Sequence, residues 1–255
     1  AEVERIRRMG RITTEVVGLT AEFLSSHKAR KDVLVNSKGK PVTIGQVKQR
    51  INLWLAERGA ENPEGTIFAI GRDSGVPHST GETGDDLRLG QTIVFDIFPC
   101  EAGGGYFYDF TRTWCLGYAP DPALELYEDV LSVYRQVMGE LKAGSACHPY
   151  QQRTCELFEA QGHPTVQSNP DTHEGYVHSL GHGLGLAVHE WPVFGARATE
   201  QDRLLPGAVV TIEPGLYYPD RGLGCRLEDT VWVRPDGAME VLAEYPMDLV
   251  LPVRS

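Results

Sequence analysis

Four acidic residues come in two matched pairs, each embedded in apolar, strand-like sequence. Asp96 stands in TIVFDIF and Asp109 in YFYDFTRTW, with the turn-prone PCEAGGG between them. Glu213 stands in VVTIEPGLYY and Glu228 in CRLEDTVWV, with PDRGLG between. Folding the first segment about Ala102–Gly103 sets Asp96 opposite Asp109; folding the second about Asp220–Arg221 sets Glu213 opposite Glu228. Opposed residues on antiparallel strands share a face, with Cβ atoms roughly 5 Å apart. Carboxylates so placed repel each other and are costly to desolvate. Divalent cations remove both penalties: two such ions balance four carboxylates, and hard or borderline metals favour oxygen ligands. The chemistry this predicts is hydrolysis at a two-metal site, one carboxylate of each pair bridging ions about 3.5–4 Å apart.

A glycine-rich run, YVHSLGHGLGLAVHE, brings His178, His182 and His189 close together in a chain with eight histidines. Gly181, Gly183 and Gly185 disfavour a helix and allow close backbone approach. His178 and His182 share strand parity, and His189 has the opposite parity unless the chain bends. Neutral imidazole is the natural nitrogen ligand for a borderline divalent metal. The glycine spacing does not fit a dinucleotide fingerprint, and His189-Glu190 is followed by Pro192 and Val193 rather than a second zinc-binding histidine. Arg226 shares a strand face with Glu228 and can brace a ligand carboxylate. His78, in VPHST, reads from its surroundings alone as a loop histidine.

These residues need strands to carry them and helices to back the strands. Ile6, Met9, Ile12, Val16, Leu19 and Phe23 recur at helical spacing, predicting a helix over about 2–26. Thr43 caps a second helix that Gly59 stops. Asp121-Pro122 opens a third, running to about Lys142, and a fourth spans roughly Tyr150–Ala160. TIFAIG precedes the first acidic hairpin, and a last strand falls near MEVLAEY. Helices and then a carboxylate-bearing hairpin occur in each half, the pattern of a diverged internal duplication. No linker or low-complexity stretch divides the chain, so one domain over 1–255 is expected.

The chain has 255 residues, 24 basic against 35 acidic, a net charge of −11 and 41% hydrophobic residues. That balance excludes nucleic-acid binding as the main task, and no run is apolar enough to span a bilayer. Five cysteines without a CxxC spacing fit free thiols in a reducing compartment, so a cytoplasmic location is expected. The sequence opens on Ala1 inside a helical pattern, which suggests the C-terminal part of a longer chain.

Taken in order, Asp96, the DFTRT segment around Asp109, HSLGHGLGLAVHE, TIEPGLY and RLED resemble the signatures of the pita-bread metallopeptidases. That group includes methionine aminopeptidase, Xaa-Pro aminopeptidase and prolidase. The resemblance spans essentially the whole chain and implies an α+β pita-bread fold, a curved antiparallel sheet with flanking helices and pseudo-twofold halves. It implies Asp96, Asp109, His182, Glu213 and Glu228 as ligands of two divalent ions, with Mn²⁺ the expected metal and Co²⁺, Zn²⁺ or Fe²⁺ the alternatives. HEWP, RLED and the short Glu213–Glu228 hairpin resemble the Xaa-Pro branch most. Two extra residues between Asp96 and Asp109, and Phe98 in place of a glycine, depart from the usual pattern. The activity implied is removal of the N-terminal residue of a peptide at Xaa-Pro bonds, with methionine aminopeptidase or a non-catalytic binding relative as the alternatives. In that reading Glu213 moves the proton, His178 or His189 polarises the scissile carbonyl and His78 contacts substrate. The expected partner is a peptide substrate, with a homodimer left open.

Overall fold

The computed structural model describes residues 1–254. The first helix, Glu2–Ser25, buries Ile6, Met9, Val16, Val17 and Leu24 along one stripe. The second, Ile44–Glu57, begins in a capping box: Thr43 accepts from the Gln46 amide while the Gln46 side chain accepts from the Thr43 amide. The chain leaves it through Gly59 at φ +70. The third helix spans Asp121–Glu140 and the fourth His148–Ala160, each with proline in its first turn.

Two antiparallel sheets lie against these helix pairs. In the first, Thr92–Ile97 is flanked by Thr66–Ile70 and Phe110–Leu116, with Val250–Leu251 adding a parallel edge. In the second the order is Met239–Val241, Asp229–Val233, Val209–Ile212, His182–Gly183 and Glu190–Val193. The first two helices share a core with the first sheet through Leu55, Phe68, Phe95 and Trp114. The last two pack Val130, Val137 and Phe158 against Tyr176, Val210 and Val231. Each half thus sets two helices against antiparallel strands, although in the first half a short hairpin, Lys28–Arg30 with Val33–Val35, lies between the helices.

The two acidic hairpins differ in how they meet expectation. Asp96 pairs with Thr111 rather than Asp109. The turn closes around Gly103 and Gly104, both at positive φ, one position later than the expected centre. Moving the centre by one residue moves the register by two, so Asp96 and Asp109 become diagonal neighbours. In the second hairpin Ile212 pairs with Asp229 and Gly215 with Arg226, which leaves Glu213 and Glu228 opposed as expected. They fall in a gap between two ladders. Pro214 has no N–H to donate there, so VVTIEPGLYY forms two strands, Val209–Ile212 and Gly215–Tyr218, where continuous pairing would give one.

The halves are stitched at one crossing. Glu228 N–H donates to Thr111 C=O at 3.1 Å, Thr230 Oγ1 to Asp109 C=O at 2.8 Å, and Thr113 Oγ1 to Arg226 C=O at 2.9 Å. Beside them Arg112 and Asp229 form a buried ion pair at 2.9 Å, with Tyr134 donating to the other Asp229 oxygen.

Candidate functional site

Asp96, Asp109, His178, His182, His189, Glu213, Arg226, Glu228 and His78 all line one cavity of about 290 Å³ at this crossing. His182 reaches it on a two-residue strand squeezed between Val209–Ile212 and Glu190–Val193. The flanking glycines make room: a Cβ on Gly181 would lie 2.0 Å from the Thr211 carbonyl oxygen, and one on Gly183 would lie 2.1 Å from that of Trp191. Glu213 and Glu228 enter through the gap at Pro214, free of the ladders on either side.

The donor set inside is almost all acceptor. One ligand atom each from Asp109, His182 and Glu228 lies within 4.8 Å of the others. His182 Nε2 stands 3.6 Å from Asp109 Oδ2 and 3.4 Å from Glu213 Oε1. Its Nδ1 lies 3.0 Å from the Gly183 carbonyl, which can only accept, so Nδ1 carries the proton and Nε2 points a lone pair at the carboxylates. Burial lowers the His182 pKa to about 4, keeping the ring neutral. Asp96 Oδ1, Asp109 Oδ1 and Glu228 Oε1 are buried with no hydrogen-bond partner. A lone pair facing carboxylates, beside three unpartnered oxygens, is a donor set that fits cations.

The acids respond to that crowding. Burial pushes Asp109 and Glu228 well above the usual carboxylate range, with Asp96 and Glu213 adding repulsion at Asp109, and Asp109 and Glu213 at Glu228. Glu213 is raised to about 8, first by burial, with the Arg226 charge opposing.

Arg226 is the buried cation of the group and braces a carboxylate as expected, that of Asp96. It donates from Nη2 to Asp96 Oδ2 at 2.6 Å, from Nη1 to Tyr217 Oη at 2.6 Å and Pro77 C=O at 3.3 Å, and from Nε to Thr111 Oγ1 at 3.3 Å. Tyr217 and Thr111 had no role in the sequence reading. DFTRT and GLYY contain both, but nothing in either segment marks a hydroxyl that braces a carboxylate. His178 Nδ1 donates to the Ser179 carbonyl at 2.7 Å, so its Nε2 accepts from Tyr217 Oη at 2.8 Å. Both His178 nitrogens are thereby engaged with protein. His189 is exposed, its ring centroid 4.3 Å from that of His182, and His78 is exposed on a loop anchored through the Pro77 contact.

Residues 4–235 match the Metallopeptidase family M24. This chain belongs to that family. Among M24 relatives it is 30% identical to the Xaa-Pro dipeptidase of Pyrococcus furiosus over 93% of its own length and 60% of that protein's. It is 32% identical to the Xaa-Pro dipeptidase of Pyrococcus horikoshii over 76% of this chain and 51% of the relative. The structure superposes on the X-Pro aminopeptidase of Thermotoga maritima with a TM-score of 0.79 at 26% identity, covering 99% of this chain and 63% of that one. It superposes on the Xaa-Pro dipeptidase of Bacillus anthracis with a TM-score of 0.78, also at 26% identity, covering 98% and 62%. The fold is the α+β pita-bread fold of the M24 prolidases. The chain spans a little over half the length of the M24 relatives it matches. Among the described residues no helix is long and apolar enough to cross a membrane.

Proposed function

We propose that this M24 chain is the catalytic part of a dinuclear metal-dependent exopeptidase that removes the N-terminal residue of peptides at Xaa-Pro bonds. The observation that carries this reading is the convergence of three unpartnered carboxylate oxygens and the lone pair of neutral His182 on one cavity. Asp96, Asp109, His182, Glu213 and Glu228 would hold two divalent ions, Mn²⁺ being the metal proposed. When bound, such ions supply Lewis-acid chemistry, acidifying a water molecule and polarising a carbonyl. The protein's own residues do the rest. Glu213, only partly exposed and facing the cavity, takes a proton from water at one carboxylate oxygen and hands it to the departing amide nitrogen. His189, exposed at the mouth, is the imidazole free to donate to the carbonyl oxygen as negative charge builds there. His178, with both nitrogens engaged, steadies Tyr217 and through it Arg226, which keeps Asp96 oriented. His78 stands where the substrate enters. The prolyl preference rests on the Xaa-Pro relatives, and the walls formed by Ile67, Phe98, Val188 and Val193 suit a rigid apolar ring.

All five cysteines are free and buried, in keeping with the reducing cytoplasm we propose as its location. The test is a panel of Xaa-Pro dipeptides, longer Xaa-Pro peptides and Met-Ala, each with chelator and with Mn²⁺. Metal-dependent cleavage before proline is expected. Cleavage that survives chelation, or a preference for Met-Ala, overturns the proposal.

A further inference from the structure

Thr111 stands where the two sheets meet. Its register partner in the first sheet is Asp96, and on its other side it bridges antiparallel to Glu228. The side chain is fully buried. Its hydroxyl lies 2.6 Å from Glu228 Oε2 and 3.3 Å from Arg226 Nε. A guanidinium N–H can only donate, so the hydroxyl accepts from Arg226 and directs its single proton to Glu228. Arg226 in turn holds Asp96 Oδ2. One hydroxyl therefore links a carboxylate from each half of the molecule.

We infer that Thr111 is a positioning residue for the metal centre, acting through Glu228 and Arg226; the inference rests on the dinuclear reading above. At Glu228 the hydroxyl occupies Oε2 and leaves Oε1 without a partner. At Asp96 the guanidinium occupies Oδ2 and leaves Oδ1 without one. Each carboxylate is thus held by one oxygen and offers the other, which fixes its rotation before any cation arrives. Hydrogen bonds to ionised groups are short and directional, and outer partners of this kind orient metal ligands. The strand crossing itself does not need the hydroxyl. Arg112 Nη1 donates to the carbonyls of Thr111 and Glu228 at 3.0 and 2.9 Å, and the backbone bridge joins the same two residues. Removing the hydroxyl therefore frees the Glu228 carboxylate while the backbone stays clamped.

The test compares Thr111→Val, which keeps the shape and loses the hydroxyl, with Thr111→Ser, which keeps the hydroxyl and loses the methyl. Mn²⁺ binding is measured by titration calorimetry and the spin-coupled signal of the bound pair by electron paramagnetic resonance. Thr111→Val is expected to bind Mn²⁺ roughly 10–100-fold more weakly, with an altered coupled signal. Thr111→Ser is expected to match the parent in both. If valine does not fold in place, Thr111→Ala removes the hydroxyl without lodging a methyl against the carboxylate and is read the same way. Unchanged binding in the variant lacking the hydroxyl, or a serine variant as weak as it, overturns the inference while the dinuclear reading stands. A parent protein that takes up no Mn²⁺ overturns both.

Discussion

Removing metal from this site should make stability fall as pH rises through neutrality, a range in which ordinary surface carboxylates are already ionised and contribute no slope. In the metal-free protein Asp109, Glu213 and Glu228 are buried together, and burial raises all three. A carboxyl whose folded-state pKa lies above its unfolded value contributes stability that is complete below the unfolded value and is lost as pH climbs through the folded one. For Glu213 that window runs from the ordinary 4.5 up to about 8. The buried histidines act in the opposite sense: burial lowers His178 to about 3 and His182 to about 4, so their contribution is lost as pH falls below 6.5. Between pH 7 and 8 both rings are neutral in the folded chain and mostly neutral in the unfolded one. Burial also raises the five thiols, which adds a smaller decline of the same sign, so the acids dominate the change. Each proton held only by the folded chain contributes about 1.4 kcal/mol per pH unit. With Glu213 alone responding, its proton falling toward half occupancy at pH 8, the loss is about 1 kcal/mol, and protons on Asp109 and Glu228 enlarge it. Urea melts at pH 7, 7.5 and 8 in the presence of chelator measure it. Saturating Mn²⁺ should abolish the decline, because the cation replaces the protons and binds more tightly as they leave. Chelated protein whose stability is flat or rises over this window refutes the electrostatic account.

Three further outcomes follow from the same geometry. Glu213→Gln should lower peptide turnover by roughly 10²–10⁴, the usual worth of a positioned proton carrier, or more where a ligand is lost, with an unchanged far-ultraviolet circular dichroism spectrum. Arg112→Met strips the partner from buried Asp229 and should cost about 3–5 kcal/mol of unfolding free energy, read by urea melts. Gly181→Ala forces a methyl onto the Thr211 carbonyl beside His182, and should cost about 1–3 kcal/mol and weaken Mn²⁺ binding, measured by calorimetry on the folded variant.

Much of this arrangement is legible in the sequence because its geometry is local. The Glu213–Glu228 register follows from a short turn whose shape is pinned by Gly222 at φ +64, and the two acids lie opposed as the arithmetic requires. The Asp96 hairpin is less determinate. Three consecutive glycines allow more than one turn centre, and the structure closes on Gly103–Gly104. Since the resulting slip is an even number of residues, the acids still share a face, which is why both still reach the cavity. The supporting contacts are not local, and the sequence hides them. Strand parity shows that Arg226 can brace a carboxylate but not which one, and the one it reaches, Asp96, lies 130 residues away. Tyr217 reads as an apolar strand residue, although its hydroxyl joins Arg226 to His178, 39 residues earlier. Thr111 sits between two recognisable signals and carries none of its own. Helices and ligand types are written in composition and spacing; partners set by the docking of two halves are not.

The central claim is that Asp96, Asp109, His182, Glu213 and Glu228 together hold two divalent ions in one cavity. Its most direct test is an anomalous difference map from crystals of the protein grown with Mn²⁺. The account predicts two peaks about 3.5–4 Å apart, one of them bonded to His182 Nε2 and Glu228. A map with no peak among these side chains, or with manganese only at the molecular surface, contradicts it.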